Sequence, residues 1–144
     1  MLEPIVLLVD DEAPFVDTMT KRLTKRKLTV FKSYSGEEAL ETLKENSQID
    51  LVILDVKMPG MDGIETLKEI RKEFPLVEVI MLTGHATVDT AIEGMKLGAF
   101  DYLMKPTDTK DLVEKIKRAS DRKREQEARI REAEIQKIVE RRGW

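Results

Sequence analysis

The residues of this chain best suited to chemistry fall where its apolar runs end. Asp10 and Asp11 follow Ile5-Val6-Leu7-Leu8-Val9, and Asp55 follows Leu51-Val52-Ile53-Leu54. Thr83 closes the run from Val77 to Leu82, and Lys105 follows Phe100 to Met104. Only the run at Thr29-Val30-Phe31 leads to no strong chemical group, ending in Ser33-Tyr34. Three carboxylates brought together cannot all stay ionised without a compensating cation. The chain has no cysteine and a single histidine, His85, so the ligands of such a cation would be oxygens. That donor set suits Mg²⁺, which needs one or two carboxylates and keeps waters that a phosphate oxygen can replace. Lys105 would add a mobile point charge and Thr83 a hydroxyl donor for a phosphoryl oxygen. In that setting a carboxylate can act as a nucleophile and form an aspartyl phosphate, helped by positioning and charge neutralisation.

The elements that must position these groups follow from hydrophobic periodicity. Five apolar, β-branched runs alternate with amphipathic segments, which predicts a parallel sheet covered on both faces. Pro14 suits a first helical turn, and Phe15, Met19 and Leu23 repeat at helical spacing after it. Ser35 with Glu38 reads as a capping box opening a helix lined by Ala39, Leu40 and Leu43. Ile64, Leu67, Ile70 and Phe74 mark a third helix behind the turn-rich stretch Met58-Pro59-Gly60-Met61-Asp62-Gly63. Val88, Ala91, Ile92 and Met95 mark a fourth, which Gly98 should stop, and a fifth begins near Asp108. The predicted class is α/β, a doubly wound five-stranded parallel sheet. Such sheets bind ligands at the carboxyl ends of their strands. If the order is 2-1-3-4-5, strands one and three are neighbours, and Asp10, Asp11 and Asp55 share one pocket flanked by Thr83 and Lys105.

Composition narrows the function classes. At 144 residues the chain has the length of one ordinary domain. A formal charge of −3 argues against a general binder of nucleic acid or anionic membrane. Neither a membrane span nor a secretory leader is visible, so the chain reads as a small, soluble, cytoplasmic protein.

In order along the chain stand Val9-Asp10-Asp11-Glu12, Ile53-Leu54-Asp55, Met58-Pro59-Gly60-Met61-Asp62-Gly63, Leu82-Thr83-Gly84 and Tyr102-Leu103-Met104-Lys105-Pro106. With these motifs the stretch from Ile5 to about Ala119 resembles a response-regulator receiver domain of two-component signalling, a family whose chemotaxis member the 2-1-3-4-5 winding describes. The resemblance implies that Asp55 is the phosphoacceptor, charged by a sensor histidine kinase or by acetyl phosphate. It implies that Asp10, Asp11, Asp55 and the backbone carbonyl of Lys57 hold Mg²⁺, and that Thr83 and Lys105 contact the phosphoryl group. Tyr102 would be the aromatic that turns inward as Thr83 moves. From His85 to Pro106 the chain is most like receivers of the nitrogen-regulation class, although Thr107 stands where that class has an aromatic. No ATPase or helix-turn-helix motif follows, so transcription is a possible output without nucleic-acid contact by this chain itself.

Blander readings stand beside these. Asp10-Asp11 could cap a helix, Lys105 could be a solvated lysine before a turn proline, and Tyr102 could be simply packed. Gly60 and Gly63 read as turn requirements, while Gly84 leaves room for a phosphoryl group. His85 reads as an exposed loop histidine, with control of phosphate lifetime as its functional alternative. A flavodoxin-like mononucleotide binder is disfavoured by the acids after strand one, which would repel a phosphate. A dehalogenase-type phosphohydrolase would want an acid where Lys57 stands, and a scaffold without phosphorylation leaves five filled positions unexplained.

The tail completes the reading. We divide the chain into a receiver over 1–119 and a charged helical extension or linker over 120–144. From Ala119 to Trp144 there are eight basic and six acidic residues, and no helix breaker precedes Gly143. A single helix from Asp108 to Arg142 would span roughly 50 Å. Leu112, Ile116, Ala119, Lys123, Gln126, Ile130, Ala133 and Lys137 follow coiled-coil spacing, so a homodimer through helix five and its extension is expected.

Overall fold

The structure is a computed structural model that describes residues 3–143, so Met1, Leu2 and Trp144, the outermost residues of the two expected segments, lie outside it. The elements are β1 (Ile5–Val9), α1 (Ala13–Lys25), β2 (Thr29–Ser33), α2 (Gly36–Glu45), β3 (Leu51–Leu54), α3 (Gly63–Glu73), β4 (Glu78–Thr83), α4 (Val88–Lys96), β5 (Asp101–Met104) and α5 (Thr109–Arg142). All strand pairs are parallel, in the order β2-β1-β3-β4-β5. The expected doubly wound sheet is therefore the observed one.

Side-chain alternation splits the core into two layers. Leu7, Val9, Val52, Leu54, Val79 and Met81 meet Ala39, Leu43, Leu67 and Ile70 of α2 and α3. Their strand neighbours Val6, Leu8, Leu51, Ile53, Ile80 and Leu82 meet Val16, Met19 and Leu23 of α1 and Leu112, Ile116 and Ala119 of α5. Burial on both faces explains why β1, β3 and β4 read as continuous apolar runs.

Several local expectations change. The fourth strand begins at Glu78, a buried acid inside the apolar run that starts at Val77. The Ser35 hydroxyl caps α2 by accepting the Glu38 N–H, yet Glu38 reaches the N–H of Tyr34 rather than completing a box. A full box sits instead at Thr87 and Thr90, opening α4. The apolar residues that mark α4 are largely exposed, at 74% for Val88, 50% for Ile92 and 46% for Met95, and only Gly94 of this helix is buried. Gly63 serves close packing rather than a turn, since a Cβ there would lie 2.0 Å from the carbonyl oxygen of Asp55. Gly60, at φ +73°, is a true turn glycine.

Helix α5 runs unbroken to Arg142 and ends on Gly143 in the left-handed region, so its 34 residues span roughly 51 Å. Its start is fixed by Asp108, whose carboxylate accepts the N–H groups of Lys110 and Asp111. The expected coiled-coil seam is divided: Leu112, Ile116, Ala119 and Lys123 are buried within their own domain, leaving only its later positions outward.

Candidate functional site

Backbone pairing carries the chemical residues one step beyond the strands. The N–H of Asp10 donates to the Ser33 carbonyl, that of Asp55 to Val9, and that of Lys105 to Thr83. Asp10, Asp55 and Lys105 thus sit on backbone held by a neighbouring strand. Because β1 and β3 are adjacent, Asp10, Asp11 and Asp55 converge, with one carboxylate oxygen of each lying within 4.8 Å of the others. Asp10 and Asp55 are 1% and 2% exposed, whereas Asp11 is open to solvent.

The site is short of positive charge. The Lys105 ammonium lies 2.6 Å from Asp10 Oδ2, 3.5 Å from Glu12 and 4.0 Å from Asp55 Oδ2. One lysine therefore faces three carboxylates, with Asp11 beside them. Asp10 Oδ1 also accepts the Glu12 N–H, and Asp55 Oδ1 the Val56 N–H. Burial nevertheless holds the Asp10 carboxyl above the ordinary range, against the bonds from Lys105 and Glu12, and the Asp55 charge adds to the rise. Burial pulls the Lys105 ammonium down, but its bond to Asp10 and the charges of Asp10, Asp55 and Glu12 outweigh this and raise it. The residues present fit a hard divalent cation: three convergent oxygens, excess negative charge and an open side at Asp11.

Asp11, Glu12, Asp55, Lys57, Met58, Pro59 and His85 line the mouth, a cavity of about 440 Å³. Thr83 is fully buried, and its Oγ1 accepts the N–H of exposed His85. Gly84 keeps the floor open, since a Cβ there would touch only the Lys105 side chain, at 3.9 Å. Tyr102 is not part of this cluster. It is half-buried, its hydroxyl lies 2.7 Å from Thr90 Oγ1, and its ring lies against the bare surface of Gly94. Sequence reasoning placed Phe15 only on the apolar face of α1, yet its ring centroid lies 3.9 Å from the Lys105 ammonium. No local signal joins two residues that far apart in the chain.

A five-stranded sheet wound 2-1-3-4-5 with an acid cluster and one lysine at its carboxyl edge defines a receiver domain. The chain belongs to that family: residues 6–117 match the model of the response regulator receiver domain. It is 36% identical over 127 residues to the DNA-binding transcriptional regulator NtrC of Escherichia coli K12, a match covering 88% of this chain and 27% of NtrC. The chain thus spans about a quarter of the length of that curated relative. A receiver domain from Clostridium thermocellum is similar in structure, with a TM-score of 0.80 and 40% identity over 84% of this chain and 97% of its own. The receiver domain of NtrX from Brucella abortus gives a TM-score of 0.75 and 30% identity, covering 81% of this chain and 98% of its own. Receiver domains are signalling switches, and the three-acid cluster is where this family binds Mg²⁺. Among the described residues no helix is long and apolar enough to cross a membrane.

Proposed function

We propose that this chain is a phosphorylation-controlled switch in which Asp55 accepts a phosphoryl group from a sensor histidine kinase or from acetyl phosphate. The observation that carries the reading is the convergence of Asp10, Asp11 and Asp55 around a single lysine. Asp55 is the nucleophile because it ends the central strand, buried, with one carboxylate oxygen fixed by the Val56 N–H. Asp10, Asp11, Asp55 and the Lys57 carbonyl would hold Mg²⁺, which supplies charge neutralisation for the incoming phosphoryl oxygens. Lys105 neutralises a further oxygen, and Thr83 offers its hydroxyl to the phosphoryl group. The chain assists its own phosphoryl transfer and hydrolysis and needs no separate substrate.

Thr83 and Tyr102 form the switch in this reading. A hydroxyl contact made only when phosphate is present gives the two states different stabilities, as a population shift requires. Tyr102 against Gly94 would report that shift to the exposed apolar surface of α4. Residues 1–119 constitute the receiver and 120–144 the charged extension, working in the cytoplasm. Exposed Ile130, Ile135 and Ile138 on the projecting end of α5 support a homodimer through that extension. The switch would regulate a downstream output such as transcription, without direct nucleic-acid contact by these 144 residues.

Incubation with Mg²⁺ and acetyl phosphate tests the chemistry. Intact mass should show one added phosphoryl group on the wild type and none on a folded Asp55→Ala variant. Undiminished labelling of that variant would overturn the assignment.

A further inference from the structure

Lys105 has two kinds of partner. Two of its acidic partners, Asp10 and Asp55, are also groups that would hold a cation, and the third is the more exposed Glu12. Asp10 and Asp55 would share their charge between Lys105 and a bound cation, so their hold on the lysine would loosen once the cation is in place. Its remaining partner is the face of Phe15, 3.9 Å from ammonium to ring centroid, inside the distance at which an aromatic quadrupole attracts a cation. A metal has no claim on that contact. Phe15 comes from the first turn of α1, and its half-buried ring packs on the apolar layer beneath α1 and α5. The Lys105 side chain is itself only 15% exposed, so the contact is shielded from bulk water.

We infer that Phe15 is a positioning residue for phosphoryl transfer, holding the Lys105 ammonium over its ring so that it stays at the mouth once the cation has engaged Asp10 and Asp55. The inference rests on the phosphoacceptor reading above. Phe15 touches no reacting atom and acts through Lys105. Leucine at this position keeps the apolar packing and loses the ring.

A two-part experiment tests it. By NMR of the wild type, the ε-methylene protons of Lys105 should be displaced upfield by the ring current, both without Mg²⁺ and with saturating Mg²⁺. That displacement should vanish in Phe15→Leu and return in Phe15→Trp. With acetyl phosphate at saturating Mg²⁺, Phe15→Leu should be phosphorylated about threefold to tenfold more slowly, a factor within the range of a partly desolvated cation–π contact. Phe15→Trp should restore the rate. In a Lys105→Met background, Phe15→Leu should change the remaining rate by less than about twofold, because the partner is already gone. Lysine ε-protons at their ordinary position in the wild type would overturn the inference, as would equal slowing by Phe15→Leu with and without Lys105. Failure of the wild type to be phosphorylated would instead overturn the phosphoacceptor reading, since the NMR signature needs no phosphoryl donor.

Discussion

The two ends of the sheet both bury acids and treat them in opposite ways. At the amino ends, Asp50 is 3% exposed, and its carboxylate accepts the Ile5 N–H and pairs with Lys123 at 3.4 Å and Arg124 at 2.8 Å. Glu78, also buried, lies 3.6 Å from Arg71 and 3.5 Å from Arg122. Each acid there has two cations, and three of the four come from the stretch of α5 just past Ala119. At the carboxyl ends, Asp10, Glu12 and Asp55 share Lys105, and exposed Asp11 adds a further carboxylate beside Asp10 and Asp55. The difference teaches how to read a buried carboxylate. Where the chain supplies its own cations, the acid clasps one element to another. Where it does not, the deficit is a site for a cation from solution.

The largest effect should come from breaking the balanced end. Asp50→Ala leaves Lys123 and the Ile5 N–H without their buried acceptor and should cost about 3 kcal/mol in urea denaturation, the scale for removing one partner of a buried pair. Phosphorylation of Asp55, at the opposite end, should persist in that variant at concentrations of denaturant where it stays folded. Truncation after Ser120 removes Arg122, Lys123 and Arg124 together and should cost somewhat less, on the order of 2 kcal/mol, because water then reaches Asp50. A chain ending at Ala128 keeps the clasp and should match full-length stability. Equal stability of the two truncated chains would show that the clasp carries no weight.

A smaller effect sharpens the comparison through pH. Burial raises the Glu78 carboxyl above 4.5 despite Arg122 and Arg71. A raised carboxyl favours the folded state at low pH, so this contribution is present below 4.5 and is lost as pH rises through the folded value. Glu78→Gln removes the dependence. Relative to that variant, the wild type should gain stability as pH falls from 7 toward 4.5, and identical pH profiles would refute the assignment.

The sheet and most of its acid-bearing carboxyl edge could be read from the chain because both depend on local patterns. Runs such as Leu51-Val52-Ile53-Leu54 are apolar without alternation only where both faces are covered, and the residue after such a run must lie at the strand's end. Periodicity also marked α4, but a repeat of Val88, Ile92 and Met95 says only that a helix has an apolar side, not that a neighbour covers it. Lys123 was harder still. It stands inside Asp121-Arg122-Lys123-Arg124-Glu125, a stretch that reads as solvated, and is buried because Asp50 waits at the sheet edge 73 residues earlier. The same holds for Phe15 and Lys105, whose contact depends on α1 and the end of β5 meeting across the fold.

The claim that the carboxyl end awaits a cation which the amino end does not need is tested most directly by melting the protein across a Mg²⁺ titration. Wild type should gain stability with Mg²⁺, by about 2.7 kcal/mol at a hundredfold excess over the dissociation constant. Asp11→Ala should melt higher than wild type in chelator by roughly 1 kcal/mol of relieved repulsion, and should lose most of the response to Mg²⁺. A wild-type melting temperature indifferent to Mg²⁺, with Asp11→Ala no more stable in chelator, would contradict the account.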